Sequence, residues 1–189
     1  MRQAVMPFGL IAIALSVAPV LAVQAVHDSF GVRRFNEQIS SYMALRQDAE
    51  RRAPPPIVSS NSADIFASET ALAEAIRKVR PHAKAGDIFV PAVGDELRWR
   101  IERVFKAHDV SQRAFLDDVG RDSPATPMTP TVNGKFDWRY GAHVPAAVIG
   151  ALPPVPWPLQ YRFACRDLVL LDVDAGLIVD VLYDVLIEH

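Results

Sequence analysis

Two carboxylates stand close together at the end of an apolar run, Leu168-Val-Leu-Leu-Asp172-Val-Asp174. They offer oxygen ligands to a hard cation, but no oxygen-rich run and no distal glutamate follow at the spacing a calcium loop requires. The plainer reading makes Asp172 and Asp174 polar residues at the mouth of a hairpin. A second group is aromatic. Phe136, Trp138 and Tyr140 alternate with Asp137 and Arg139, and Trp157 follows. Exposed, Trp138 and Tyr140, with Arg139 and Trp157, would stack sugar rings or receive a peptide. Buried, the ladder is the inner face of a strand, and burial is the expectation because large aromatics dominate small cores. The histidines, His27, His82, His108, His143 and His189, have no ligand-type neighbour at zinc-site spacing. No G-x-S-x-G, P-loop or Rossmann fingerprint occurs. These residues imply no metal and no cofactor.

The elements that must position these residues are legible from period and punctuation. Val32, Phe35, Ile39, Tyr42 and Met43 recur at helical steps, so Phe30 to Arg52 is expected to be an amphipathic helix that ends at Pro54-Pro55-Pro56. Ser62 is the expected N-cap of a second helix to Arg80, closed by Pro81. A third starts at Pro91, with Val93, Leu97, Ile101, Val104 and Phe105 on one stripe. Its Arg98, Arg100, Arg103 and Lys106, interleaved with Glu96 and Glu102, read as a solvated face. Ser111 opens a short fourth helix through Val119, closed by Gly120.

Eight of the fifteen prolines lie between Pro124 and Pro158 and forbid long elements there. Asn133-Gly134 predicts a hairpin turn between Thr131-Val132 and Lys135-Phe136. Pro145 to Leu152 fits a short helix. Leu159 to Cys165 alternates as a half-buried strand, Leu168 to Val173 is a second, and Leu177 to Leu182 is a third. Asp174-Ala175-Gly176 links the last two, with glycine where a positive φ is wanted. Such short links require antiparallel pairing. The predicted fold is α+β: N-terminal amphipathic helices over about 30–119, a proline-rich connection over about 121–158, and a small antiparallel meander over about 159–183 against which the helices pack.

The chain has 189 residues, 50% of them hydrophobic and 22% charged, with a formal net charge of −2. This excludes a basic nucleic-acid-binding chain and an acidic disordered one. After Arg2 an apolar region runs from Val5 to Leu21, followed by Val20-Leu-Ala22 and Val23-Gln-Ala25, both of which fit small-x-small cleavage. Residues 1–25 are therefore expected to be a signal peptide cut after Ala22 or Ala25. The alternative is an uncleaved anchor in the inner membrane, since Ala4 to Val23 is long enough to span. Cleavage after Ala25 leaves 26–189 as one globular domain, in which 19 of the 20 basic side chains face 22 acidic ones, a net charge of −3. Cys165, the sole cysteine, makes no internal disulfide and is expected to be a buried small hydrophobe.

Two blocks carry a resemblance. LPPVPWPLQYRFACRDLVLLDVDAGLIVDVL (152–182) resembles a C-terminal LEYRFVGRDLVLxDVxANLIVD-like signature of a group of exported bacterial proteins of unknown function. AIRKVRPHAKAGDIFVP (75–91) resembles that group's ARPxAxxGDIFTP-like block. The resemblance implies export and the α+β layout, and it implies no activity. Cys165 stands where the group has glycine, Gly176 where it has asparagine, and Val90 where it has threonine, which removes an N-cap hydroxyl worth about 1 kcal/mol. The run ending in Asp172-Val-Asp174 is also similar to the first motif of haloacid-dehalogenase-type phosphatases, where the first aspartate attacks phosphorus beside a magnesium ion. That fold needs further strands and catalytic residues, and only 15 residues follow Asp174.

The expectation is an exported protein, periplasmic or extracellular. It would act as a non-catalytic domain that binds an envelope protein or cell-wall component, with no nucleic-acid role and no membrane contact beyond the N-terminal segment. The alternatives are a small hydrolase with a dispersed site and a carbohydrate-binding module using Phe136, Trp138 and Tyr140.

Overall fold

A computed structural model describes residues 29–186, apart from 56, 58, 110 and 122–128. The expected signal segment and part of the proline-rich connection lie outside the described residues. Helix α1 (Phe30–Arg52) starts where the Ser29 hydroxyl accepts the Val32 N–H at 3.2 Å. It buries Val32, Phe35, Ile39, Tyr42, Arg46 and Ala49, one stripe at three- and four-residue steps. Helix α2 (Ser62–Val79) is capped one residue earlier than expected, by Asn61, whose Oδ1 accepts the Ala63 N–H at 3.0 Å. Helix α3 (Pro91–Ala107) has proline in its first turn, and Val90 gives it no side-chain cap. Helix α4 (Gln112–Arg121) runs past Gly120, and helix α5 (Ala146–Ala151) is a short element.

The strands form an antiparallel meander in the order β1-β2-β3-β4: β1 (Gly141–Ala142), β2 (Leu159–Ala164), β3 (Asp167–Asp172) and β4 (Leu177–Leu182). The architecture is thus α+β, with helices mostly N-terminal and strands C-terminal. Strand β3 begins one residue earlier than expected. Cys165 falls not in a strand but in the β2–β3 turn, half-buried, with φ +54°. The pairing of Ala164 with Asp167 leaves two residues to reverse the chain, which forces the left-handed conformation where glycine would be unstrained.

The core is built where the helices lie on one sheet face. Phe35, Ile39, Ile76, Leu97 and Ile101 pack with Tyr161, Phe163, Leu168, Leu170 and Val179. Helices α1 and α3 approach closely at Gly31, where an added Cβ would stand 2.9 Å from the Ala92 carbonyl. The opposite sheet face is covered too, since Phe136 joins Val169, Leu171, Ile178 and Val181 in a second cluster.

The connection that delivers Phe136 corrects the predicted hairpin. The turn is Thr131 to Gly134, closed by the Gly134 N–H on the Thr131 carbonyl at 2.9 Å, with Asn133 at φ +63°. It is centred one residue earlier than the type the Asn-Gly pair favours, and its arms do not pair with each other. Instead the chain lies along β4: Asn133 N–H to the Ile178 carbonyl at 2.8 Å, Ile178 N–H to Gly134 at 3.0 Å, and Phe136 N–H to Gly176 at 2.9 Å. The free edge of β4 supplied a stronger partner than a second short arm could. The alternating ladder also stops short. Trp138–Tyr140 is a 3-10 turn, capped by the Asp137 carboxylate on the Arg139 N–H at 3.1 Å.

Candidate functional site

Asp172 and Asp174 have different fates. Asp172 is fully buried. Its Oδ2 accepts the Arg46 Nε–H at 2.6 Å and the Tyr42 hydroxyl at 2.8 Å, and its Oδ1 accepts the Ala175 N–H at 3.2 Å. Arg46, itself buried, reaches Asp174 at 3.0 Å and also pairs with Glu50. Burial in the apolar interior and the Asp172 charge push the Tyr42 phenol well above its ordinary range, so it remains a donor. Burial likewise raises the carboxyl of Asp174, against the pull of Arg46. The group fastens α1 to the end of β3. A nucleophile must touch its substrate, and Asp172 has no open face and a guanidinium already on it. Asp174 lines a concavity of about 510 Å³ with Glu50 and Glu69 among Ile57, Ile65 and Leu72. Among the described residues, no three His, Cys, Asp or Glu side chains are placed to hold a metal ion.

A second buried carboxylate, Asp180, joins the two sequence blocks. It accepts the N–H groups of Gly86, Ile88 and Phe89 at 2.9, 2.7 and 2.7 Å. Burial raises its carboxyl, and these N–H groups oppose the shift. The Gly-Asp-Ile-Phe loop is therefore folded around a β4 side chain, which sets the start of α3. Burial and nearby Asp167 raise the Cys165 thiol, the opposite of activation.

The aromatic candidates divide. Phe136 is core, with 1% exposure, whereas Trp138 is 53% and Trp157 69% exposed. The expected burial of the ladder therefore holds for Phe136 and fails for Trp138, because the 3-10 turn swings Trp138 off the strand. Trp138 lies edge-on to Phe136 and carries the Arg162 guanidinium 5.6 Å from its ring centre. Arg139 is exposed and holds Asp137, which keeps that carboxyl below its ordinary value. The Tyr140 side chain lies outside the described residues.

A further concavity is lined by none of the four predicted ligand-binding residues. It is a groove of about 560 Å³ along β2. Leu159, Gln160, Tyr161 and Arg162 form one side, and α5 with Leu152, Pro153 and Val155 forms the other. Arg100 lies in its lining; it is buried, bonded to Glu96 and to the Ala151 carbonyl, so the solvated-face reading of α3 fails at this residue. A neighbouring concavity of about 590 Å³ lies between Trp99, Arg103 and Gly150. Sequence reasoning missed Arg46, Arg162 and the groove. Arg46 did carry a signal, as a charged residue on the apolar stripe of α1 four residues after Tyr42. Arg162 carried none.

No protein-family model matches the chain, and no curated protein or solved structure is significantly similar to it. Among the described residues no helix is long and apolar enough to cross a membrane.

Proposed function

We propose that this protein is an exported, non-catalytic domain that binds a partner protein or envelope component. The observation that carries the reading is the division of labour among its polar groups. The buried charges, Arg46, Asp172 and Asp180, are bonded within the fold, so they serve architecture. What the surface offers instead is an apolar groove beside a strand, with exposed aromatic rings nearby. Concave apolar surface with a few polar groups is the form binding sites take. Export rests on the N-terminal segment and on the resemblance of the two blocks. A hydrolase is less well supported, because the best nucleophile candidates are the buried Asp172 and the unactivated Cys165.

The test is crosslinking in the producing cell with a C-terminally tagged chain, followed by mass spectrometry. The reading expects one envelope partner in stoichiometric yield and a mature N-terminus after Ala22 or Ala25. A clean monomer with no partner contradicts the binding reading, and an intact N-terminus contradicts cleavage. A carbohydrate-binding reading has one observation in its favour, the exposure of Trp138 and Trp157. It expects Trp138→Ala to abolish polysaccharide retention without lowering Tm.

A further inference from the structure

The groove beside β2 contains a strand edge. Strand β1 pairs only with Phe163 and Ala164, so among the described residues Leu159 to Arg162 have no strand on that side. The register fixes which backbone groups face outward. The Val173 N–H bonds to the Pro158 carbonyl at 3.1 Å, so Pro158, Gln160 and Arg162 direct their backbone groups at β3. Leu159, Tyr161 and Phe163 therefore point theirs away from it. Phe163 uses them on Ala142, and the Leu159 N–H bonds to Pro156 at 2.8 Å. The Leu159 carbonyl and both backbone groups of Tyr161 open into the groove. The opposite wall is apolar: Ile149, Leu152 and Val155.

The charge is one-sided. No acidic residue lines the groove. Arg100 is neutralised by Glu96. Arg162 lies 3.0 Å from His143 Nδ1, bonds to the Gln160 amide oxygen at 2.7 Å, and meets no carboxylate among the described residues. Its Nε is buried without a partner.

The geometry points to β-strand addition: an extended peptide segment of a partner protein, bearing an acidic side chain, pairs with the Leu159–Arg162 edge and sets its carboxylate against Arg162. Four residues at about 3.3 Å each give a contact of about 13 Å. Its apolar side chains enter toward Ile149, Leu152 and Val155. A second copy of this chain does not fit, because the edge is recessed. Helix α5 with Leu152, Pro153 and Val155 forms the facing wall of the groove and would hold two such edges apart. This inference rests on the binding reading above and names its partner class.

The test uses phage-displayed random heptapeptides panned on the purified chain, and two variants. Gly150→Trp places a bulky ring at the wall of the groove, at a position where an added Cβ meets nothing within 4 Å. Arg162→Glu reverses the charge. Ile149→Arg, at a half-exposed position, serves if Gly150→Trp fails to fold. Enriched peptides are expected to alternate apolar residues and to carry an acidic one. Their affinity, read by fluorescence anisotropy, should fall at least about tenfold in each variant and remain unchanged in Arg34→Glu. The inference is overturned by no enrichment over the Gly150→Trp protein, by peptides indifferent to Arg162→Glu, or by a dimer in sedimentation that Gly150→Trp dissociates. If peptides fail while in-cell crosslinks form at another surface, this inference falls and the binding reading stands. If both fail, both fall.

Discussion

Substitution at Asp172 separates architecture from chemistry. The carboxylate is fully buried, with Arg46 at 2.6 Å, Tyr42 at 2.8 Å and the Ala175 N–H at 3.2 Å. Removing one partner of a buried pair costs about 3–5 kcal/mol, because the other charge is left uncompensated. Asp172→Asn keeps one acceptor oxygen, which serves Tyr42 or Ala175 but not both because they bond to different oxygens, while Arg46 keeps Asp174 and Glu50, whose side chains are 41% and 45% exposed. Its cost belongs at the lower end, about 3 kcal/mol. Arg46→Met strands the carboxylate and should cost about 4 kcal/mol. The double variant should cost less than the sum by at least about 1.5 kcal/mol, since neither charge is then orphaned. Urea denaturation followed by circular dichroism reads all three, and the singles should lower the midpoint by about 1 M or more. Strict additivity, or an Asp172→Asn protein within about 0.5 kcal/mol of the parent, would refute the reasoning and return Asp172 to the list of functional carboxylates.

Asp180→Ala leaves buried N–H groups of Ile88 and Phe89 without an acceptor and should cost about 2–5 kcal/mol, with faster amide exchange confined first to residues 86–89. The carboxyls of Asp167, Asp174 and Asp180 are all raised by burial, so the native state holds protons the unfolded chain has released. Their contribution is full below the ordinary value of 3.8 and is lost as pH rises through the raised values; melting curves across that window should flatten in Asp180→Asn. Phe136→Ala should cost about 3–5 kcal/mol, whereas Trp138→Ala should cost under about 1 kcal/mol; equal costs would contradict the division of the aromatics. Gly176→Ala should cost more than about 1 kcal/mol in melting experiments, because Gly176 has φ +56° and an added Cβ would stand 2.0 Å from Glu69 Oε1.

Much of this fold was legible because its signals are local. The stripe from Val32 to Tyr42 marked α1, Pro91 marked the start of α3, and Gly176 marked the β3–β4 turn, each from residues within a few positions of one another. What failed was decided at long range. Asn133-Gly134 announced a turn, but only the unpaired edge of β4 dictated where its arms would bond. The alternation of Phe136, Trp138 and Tyr140 matched a strand, but the Asp137 cap and the docking of Phe136 under the sheet overrode it. Asp172 read as a loop residue because its partner, Arg46, lies 126 positions away. The groove was invisible for a similar reason: it exists because α5 stands off from β2, a spacing no single segment encodes. A charged residue inside an apolar run was the one clue available: Arg46 and Asp172 carry it and pair with each other, and Asp180 carries it and holds backbone N–H groups.

The central claim is binding through the face around Gly150, and position-specific photocrosslinking tests it most directly. A photoreactive side chain at position 150, where the Cβ direction is open, is compared in the producing cell with one at position 34 of α1, where the native side chain is partly exposed. The account predicts one saturable crosslinked species from position 150, absent from position 34 and suppressed by Arg162→Glu. The same faint, unsaturable background from both positions would contradict it.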